Sequence, residues 1–203
     1  MEFNPELLDV SRETFDRLNA FVDLVRKWNP KINLVSSSSL DHIWDRHIAD
    51  SAQLYDLAPS GADWLDIGSG GGFPGVVAAI MDVESNDRRK FTFIESDQRK
   101  CAFLRTAARE MGLTVEVISE RIEEAPPVDA PVVSARALGS LNELLGHAER
   151  HMAEGGTALF PKGKSWREES DVARLAWSYE AEEITSKTNP EAVILRIRGI
   201  KRV

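Results

Sequence analysis

The sequence predicts an α/β fold whose sheet is mostly parallel, with a helical N-terminal segment and an antiparallel last strand. Short apolar runs bounded by turn residues predict strands, and apolar residues at three- and four-residue steps predict helices between them. Strands separated by helices run parallel, with right-handed crossovers. At 203 residues, 42% of them hydrophobic, we expect a single domain over 1–203, formed by a helical extension (1–58) and a core (59–203).

The N-terminal extension is predicted to contain two helices. Apolar residues recur at helical spacing over about 11–28, and Pro30 is expected to end that helix. Capping-box spacing from Ser38 predicts a second helix over about 39–56.

In the core, strands and helices alternate until the last strand pair. We predict strands near 64–67, 91–95, 114–118, 130–134 and 157–160. The helices between them are predicted at about 74–82, 98–111 and 138–152. After a helix from Ser165 to about Trp177, two strands follow each other directly, over 179–185 and 193–198, so the last one should be antiparallel.

A glycine-rich loop follows the first predicted strand, with the sequence Asp66-Ile67-Gly68-Ser69-Gly70-Gly71-Gly72-Phe73-Pro74-Gly75. Glycine permits positive φ and close approach of the backbone to a ligand, and the next helix points its free N–H groups into the same space. The G-x-G-x-x-G spacing fits from Gly70, whereas counting from Gly68 puts Phe73 at the third glycine. Three interpretations remain open: a dinucleotide site, the nucleoside site of a methyl-donor enzyme, and a turn without a ligand.

The ends of the strands help to choose between these interpretations, because ligands of open α/β sheets bind at the C-terminal ends of the strands. Glu95 follows the second strand, where a carboxylate can accept hydrogen bonds from ribose hydroxyls. Dinucleotide and methyl-donor enzymes both use such a carboxylate. The helical prefix, the one glycine fingerprint and the antiparallel end favour a methyltransferase sheet over two mononucleotide-binding halves.

Composition limits the other functions. The net charge of −8 argues against broad nonspecific nucleic-acid binding, although the segments 88–109 and 187–203 are basic. The single cysteine, Cys101, cannot form an intrachain disulfide, and no run reaches membrane-spanning length, so we expect a cytoplasmic protein without membrane contact. His147 and His151 share a helix face without a third ligand, so we expect solvent-facing histidines and no metal site.

Several blocks of residues, in a fixed order from about Leu18 onward, carry a resemblance to a known family. They are Trp28-Asn29 with Ile32-Asn33-Leu34, Arg46-His47-Ile48-Ala49-Asp50-Ser51, Asp66 to Gly75, Ser119 to Glu124, Ser134 with Arg136-Ala137, and Lys162-Gly163. With these blocks the chain resembles the bacterial 16S rRNA (guanine-N7) methyltransferases, also called glucose-inhibited division protein B. It departs from the family pattern at Gly71, at the reversed pair Arg99-Lys100, and at Pro161.

This resemblance implies a Rossmann-like class I methyltransferase with S-adenosyl-L-methionine as methyl donor. The implied partner is 16S rRNA or the small ribosomal subunit, and we expect a monomer. The residues expected at the cofactor are Gly68, Phe73, Ile122, Glu123 and Arg136, to which the loop and the strand end add Asp66, Gly70 and Glu95. The residues expected at the RNA are Asn33, Arg121 and Lys162.

The implied acceptor, guanine N7, has a lone pair and no proton to lose, so its methylation needs alignment but no general base. We therefore predict no acid–base residue and expect Arg136 to position the donor carboxylate or a substrate phosphate. Asn33 is nearly as well explained as a turn residue, and Arg121 has the alternative of shaping the adenine loop. For His47, beside Arg46, an RNA contact and a helix-packing role are about equally favoured. A methyltransferase of small molecules or proteins, and a non-catalytic cofactor-binding regulator, remain alternatives.

Overall fold

The computed structural model describes residues 8–85 and 89–203. The strands are β1 (Trp64–Ile67), β2 (Phe91–Ile94), β3 (Val115–Ile118), β4 (Ala130–Ser134), β5 (Met152–Lys162), β6 (Trp177–Thr185) and β7 (Val193–Arg202). The helices are α1 (Arg12–Ile32), α2 (Ser37–Leu40), a π-helical segment (Trp44–Ala49), α3 (Asp50–Leu57), α4 (Gly75–Asp82), α5 (Gln98–Met111), α6 (Leu141–His151) and α7 (Trp166–Ala173). Arg88, the first residue of the predicted basic segment, lies outside the described residues.

The strands form one sheet in the order β3-β2-β1-β4-β5-β7-β6. The five strands β1 to β5 are parallel, and β7 is antiparallel to both β5 and β6. The predicted mostly parallel sheet with an antiparallel last strand is thus confirmed. Because β1 has β2 on one side and β4 on the other, the strand order reverses at β1 and opens a crevice above its C-terminal end.

Two apolar layers cover the faces of the sheet. Trp64 packs in a cluster with residues of α1, α3, α4 and α5, whereas Leu65 packs in a second cluster with residues of α6 and α7. This division follows from the strand geometry, in which successive side chains point to opposite faces. Over the described residues, no helix combines the length and the apolar character needed to cross a membrane.

The N-terminal helices differ from the prediction. Helix α1 continues through Pro30 to Ile32, because the lost N–H of one proline does not prevent the Asn33 N–H from donating to the Asn29 carbonyl at 3.0 Å. Asn33 ends the helix in the left-handed region, with φ of 48°. The capping box predicted at Ser38 is wrong: Ser36 precedes α2, and Ser39 Oγ bonds back to the Ser36 carbonyl at 2.9 Å.

Three boundaries in the core also differ from the prediction. Helix α6 begins at Leu141, because Ser140 and Glu143 form a capping box that fixes its start. Strand β5 begins five residues earlier than predicted, at Met152, and β6 already begins at Trp177, where α7 was expected to end. These shifts leave the strand ends near the crevice in place.

Candidate active site

The glycine loop after β1 forms the edge of the crevice. The N–H groups of Gly68 and Ser69 donate to the Ile94 carbonyl at 2.8 and 3.2 Å, which ties the loop to β2. Gly68 has φ of +63°, and a Cβ there would lie 2.5 Å from Leu138 Cδ1. Glycine at this position therefore permits the turn and leaves space for Leu138 at the edge of the crevice.

Asp66 supports this loop from below. Its carboxylate is fully buried and accepts hydrogen bonds from Ser134 Oγ at 2.6 Å and from the Gly75 N–H at 3.3 Å. Trp64 Nε1 in turn donates to Ser134 Oγ at 2.8 Å. Burial raises the pKa of Asp66 to about 6. Asp66 was predicted to contact the cofactor; its oxygens face this internal network, which favours a role in positioning the loop.

Two cavities meet above the loop. The larger has a volume of about 820 Å³ and the smaller about 380 Å³. The residues that line both cavities are Gly68, Gly70, Lys100 and Ala137. The structure therefore provides two adjoining chambers, which we call the large cavity and the small cavity, with the glycine loop at their junction.

The small cavity contains the predicted carboxylate at the end of β2. Glu95 is 7% exposed; its Oε1 accepts from the Asp97 N–H and its Oε2 from the Gly70 N–H, both at 2.8 Å. These two bonds fix the carboxylate and leave each oxygen a further lone pair. Gly70 thus contributes both to the wall of the cavity and to the orientation of Glu95.

The loop after β3 forms the opposite wall of the small cavity, with buried Ile122 and exposed Arg121 and Glu123. His151 Nε2 donates to the Ile122 carbonyl at 2.8 Å. His151 is fully buried, which lowers its pKa, so the prediction that it faces solvent is wrong. His147 also lines this cavity, 3.8 Å from the Glu123 carboxylate.

In the large cavity, Arg136 joins the end of β4 to the π-helical segment. Its Nη1 donates to the Arg46 carbonyl at 2.7 Å, and its Nη2 contacts His47 Nδ1. The guanidinium carbon also lies 5.2 Å from the centre of the Phe73 ring. Burial lowers the pKa of Arg136 to about 10, which leaves the side chain positively charged at neutral pH.

His47 is held neutral beside this arginine. Burial, followed by the charge of Arg136, lowers the pKa of His47 to about 3. Since Nδ1 accepts from Arg136, Nε2 carries the hydrogen and donates to Ser39 Oγ at 2.9 Å. The imidazole also packs on the ring of Phe73, with 4.9 Å between centroids. Both ring nitrogens of His47 are therefore engaged in positioning.

A wall of the large cavity comes from the turn between β6 and β7. Thr188 lines the cavity, and its Oγ1 donates to Asp50 Oδ1. The neighbouring Lys187 N–H donates to Gln53 Oε1 at 2.7 Å. Burial raises the pKa of Asp50. No sequence motif marks Thr188 as a site residue, and Asp50 was not predicted at the site although it lies within the family block that begins at Arg46.

The three residues predicted at the RNA lie in different environments. Arg121 lines the small cavity, and Asn33 is exposed beside the large one. Lys162 lines neither cavity: its side chain is 8% exposed, pairs with Glu169 Oε2 at 2.5 Å and donates to the Gly139 carbonyl at 3.1 Å. These contacts favour a structural role for Lys162 over the predicted phosphate contact, because α7 packs Glu169 against the end of β5.

Among the described residues, no three histidine, cysteine, aspartate or glutamate side chains are grouped so that they could hold a metal ion. The cavities instead combine a fixed carboxylate, apolar walls and a half-buried guanidinium. This set suits a nucleoside with an attached charged group.

Comparisons with known proteins agree with this architecture. A protein of Ruegeria sp. (strain TM1040) named ribosomal RNA small subunit methyltransferase G is 59% identical to this chain, over 97% of this chain and 96% of the relative. A protein of the same name from Cereibacter sphaeroides (strain ATCC 17029 / ATH 2.4.9) is 49% identical to this chain, with the same coverage. A SAM dependent methyltransferase from Aquifex aeolicus has a TM-score of 0.60 at 12% identity, over 87% of this chain and 96% of that chain.

M. jannaschii TYW2 in complex with AdoMet has a TM-score of 0.58 at 13% identity, over 77% of this chain and 76% of that chain. At such low identity these two structures establish the fold alone, which is the predicted Rossmann-like α/β fold. The family model described as "GidB: rRNA small subunit methyltransferase G" matches residues 14–194, so the chain belongs to this family.

Proposed function

We propose that this protein transfers the methyl group of S-adenosyl-L-methionine to N7 of a guanine in the 16S rRNA of the small ribosomal subunit. Beyond family membership, the observation that supports the proposal is the junction of two cavities at one glycine edge. Methyl transfer requires a donor and an acceptor base to meet in line, and two adjoining chambers provide that arrangement. We further propose that the enzyme acts as a monomer in the cytoplasm.

The residues of the small cavity fit the nucleoside part of the donor. Glu95, fixed by two backbone N–H groups, has lone pairs that can accept from the two ribose hydroxyls. Buried Ile122 offers an apolar surface to the adenine, and the Glu123 carboxylate can accept from its amino group. When bound, S-adenosyl-L-methionine supplies an electrophilic methyl group on a sulfonium. Arg136, across the junction, can pair with the carboxylate at the amino-acid end.

The large cavity suits an acceptor that needs no deprotonation. His47, the histidine of this cavity, is neutral and has both nitrogens in hydrogen bonds, so it orients Arg136 and is not placed to remove a proton. Phe73 and His47 present ring surfaces on which a base can stack. To reach this chamber, the guanine must leave its stack in the RNA. The chain therefore contributes binding, orientation and exclusion of water.

The test is transfer of a labelled methyl group to purified 30S subunits, to naked 16S rRNA and to free nucleosides, followed by nuclease mapping. We expect label at N7 of one guanine in 16S rRNA. Label at another atom, or in a small molecule or protein, would overturn the proposed acceptor. Binding of the donor without transfer to any RNA would instead identify a cofactor-binding regulator.

A further inference from the structure

A cationic groove lies beside the large cavity. Its volume is about 480 Å³, and it is formed by the end of α1, the start of α2 and the first turn of α5. Its described lining includes two cations, Lys31 and Arg99, the amide of Asn33, and no carboxylate. In a chain with a net charge of −8, such a groove is a local exception that favours an anionic partner.

The groove and the large cavity are lined by consecutive residues at two places. Asn33 lines the groove and the next residue, Leu34, lines the cavity. On α5, Arg99 lines the groove and the next residue, Lys100, lines the cavity. Two consecutive pairs thus place the groove next to the cavity, so that an elongated ligand can extend from one to the other.

Both cations of the groove are accessible to a ligand. Lys31 is exposed on the last turn of α1, and the side chain of Arg99 is 69% exposed. Arg99 uses its Nε and one Nη2 hydrogen on Asp97, at 3.3 and 2.9 Å, which fixes the orientation of the guanidinium. Three of the five guanidinium N–H donors lie outside this pair and can bind a phosphate.

The basic segment at the end of the chain is a weaker candidate. Arg196 pairs with Glu182, and Arg202 pairs with Glu149 at 3.0 Å. Arg198 Nε donates to Thr157 Oγ1 at 3.0 Å. Like Arg99, these cations have partners within the fold, but none of the three lines the groove or the large cavity.

We propose that the groove binds the sugar–phosphate backbone of the RNA strand next to the guanine that enters the large cavity, with Lys31 and Arg99 on phosphate and Asn33 donating to a phosphate or sugar oxygen. This inference rests on the proposed function. Phosphate contacts fix the register of an RNA on a protein without reading its sequence. The groove would therefore hold the strand in place while the large cavity receives the base.

The test compares the salt dependence of 16S rRNA binding by three proteins: the wild type, the double variant Lys31→Gln/Arg99→Gln, and the control Lys201→Gln/Arg202→Gln. The control removes the same charge from the end of β7, where Arg202 pairs with Trp177 at the opposite end of the sheet from the cavities. Log K falls with log[salt] at a slope of about −0.7 for each phosphate contact on a single strand, so we expect the slope of the groove variant to be less steep than that of the wild type by about 1.4.

The control should keep the wild-type slope, and all three proteins should bind S-adenosyl-L-methionine equally, which verifies that they are folded. A groove variant with the wild-type slope would overturn the inference, as would an equal decrease in the control. Both outcomes leave the proposed function intact if the wild type methylates 30S subunits. A wild type that neither binds nor methylates rRNA would overturn the proposed function as well.

Discussion

Replacing Asp66 by asparagine would remove a buried negative charge from beneath the glycine loop while nearly preserving the shape of the side chain. In the folded protein, burial raises the pKa of this carboxyl from 3.8 to about 6. The folded state therefore holds the proton more tightly than the unfolded state. The corresponding stabilisation is complete below the unfolded pKa and is lost as the pH rises through the folded pKa.

The magnitude follows from the two pKa values. Their difference corresponds to about 3 kcal/mol, because one pKa unit equals about 1.4 kcal/mol. Most of this stabilisation is lost between about pH 4 and pH 6, and about 1 kcal/mol of it is lost between pH 5 and pH 7. Asparagine does not titrate, so the Asp66→Asn variant should gain about 1 kcal/mol on the wild type over that interval. The amide of asparagine also matches one of the hydrogen bonds with Ser134 and Gly75 poorly. This mismatch lowers the free energy of unfolding of the variant by about 1 kcal/mol at every pH.

The assay is urea unfolding of both proteins at pH 5, 6 and 7 at constant ionic strength, followed by tryptophan fluorescence. Asp63→Asn, which removes the same charge from an exposed position on the approach to β1, is the control for net charge. If the free-energy difference between the Asp66→Asn variant and the wild type were the same at all three pH values, the reasoning from burial would be refuted.

Three further predictions concern residues in and around the cavities. Arg136→Ala should abolish methyl transfer to 30S subunits in a protein that still folds, because the guanidinium that faces the junction is lost; wild-type turnover would remove it from the mechanism. Lys162→Ala should lower the free energy of unfolding by about 1 to 3 kcal/mol, because the half-buried Glu169 carboxylate keeps only the Leu141 N–H and Ser165 hydroxyl as donors. It should weaken donor and RNA binding together, whereas a selective loss of RNA affinity would restore the phosphate contact. His151→Leu should raise the Kd for S-adenosyl-L-methionine about fivefold in equilibrium dialysis, because the Ile122 carbonyl loses its hydrogen-bond donor. The Kd for rRNA should stay unchanged, and an unchanged Kd for S-adenosyl-L-methionine would contradict this role of His151.

The sheet and the glycine edge of the site were predictable because their causes are local in the sequence. Alternation of strands and helices requires parallel pairing, and the turn at Gly68 requires a residue that tolerates positive φ. Glu95 could be predicted as well, since a strand end places its side chain above the sheet whatever surrounds it. The family resemblance then added the chemical identity of the donor and the acceptor.

The errors arose where the partner of a side chain is distant in the sequence. Lys162 resembles a free cation at a strand end until α7 brings Glu169 to it. His151 belongs to an exposed-looking pair of histidines, but its carbonyl partner lies 29 residues earlier in the chain. The contact between Asp50 and Thr188 spans 138 positions and depends on the order of the last strands. Periodicity carries no information about such pairings.

The position of β7 has a consequence for the order in which the protein matures. Strand β6 precedes β7 in the chain but joins the sheet only through it, since β7 lies between β5 and β6. The turn that carries Thr188 therefore cannot contact Asp50 until β7 has paired with β5. During synthesis on the ribosome, the chamber for the acceptor base would thus be the last part of the enzyme to form, after the donor side is already built from β1 to β4.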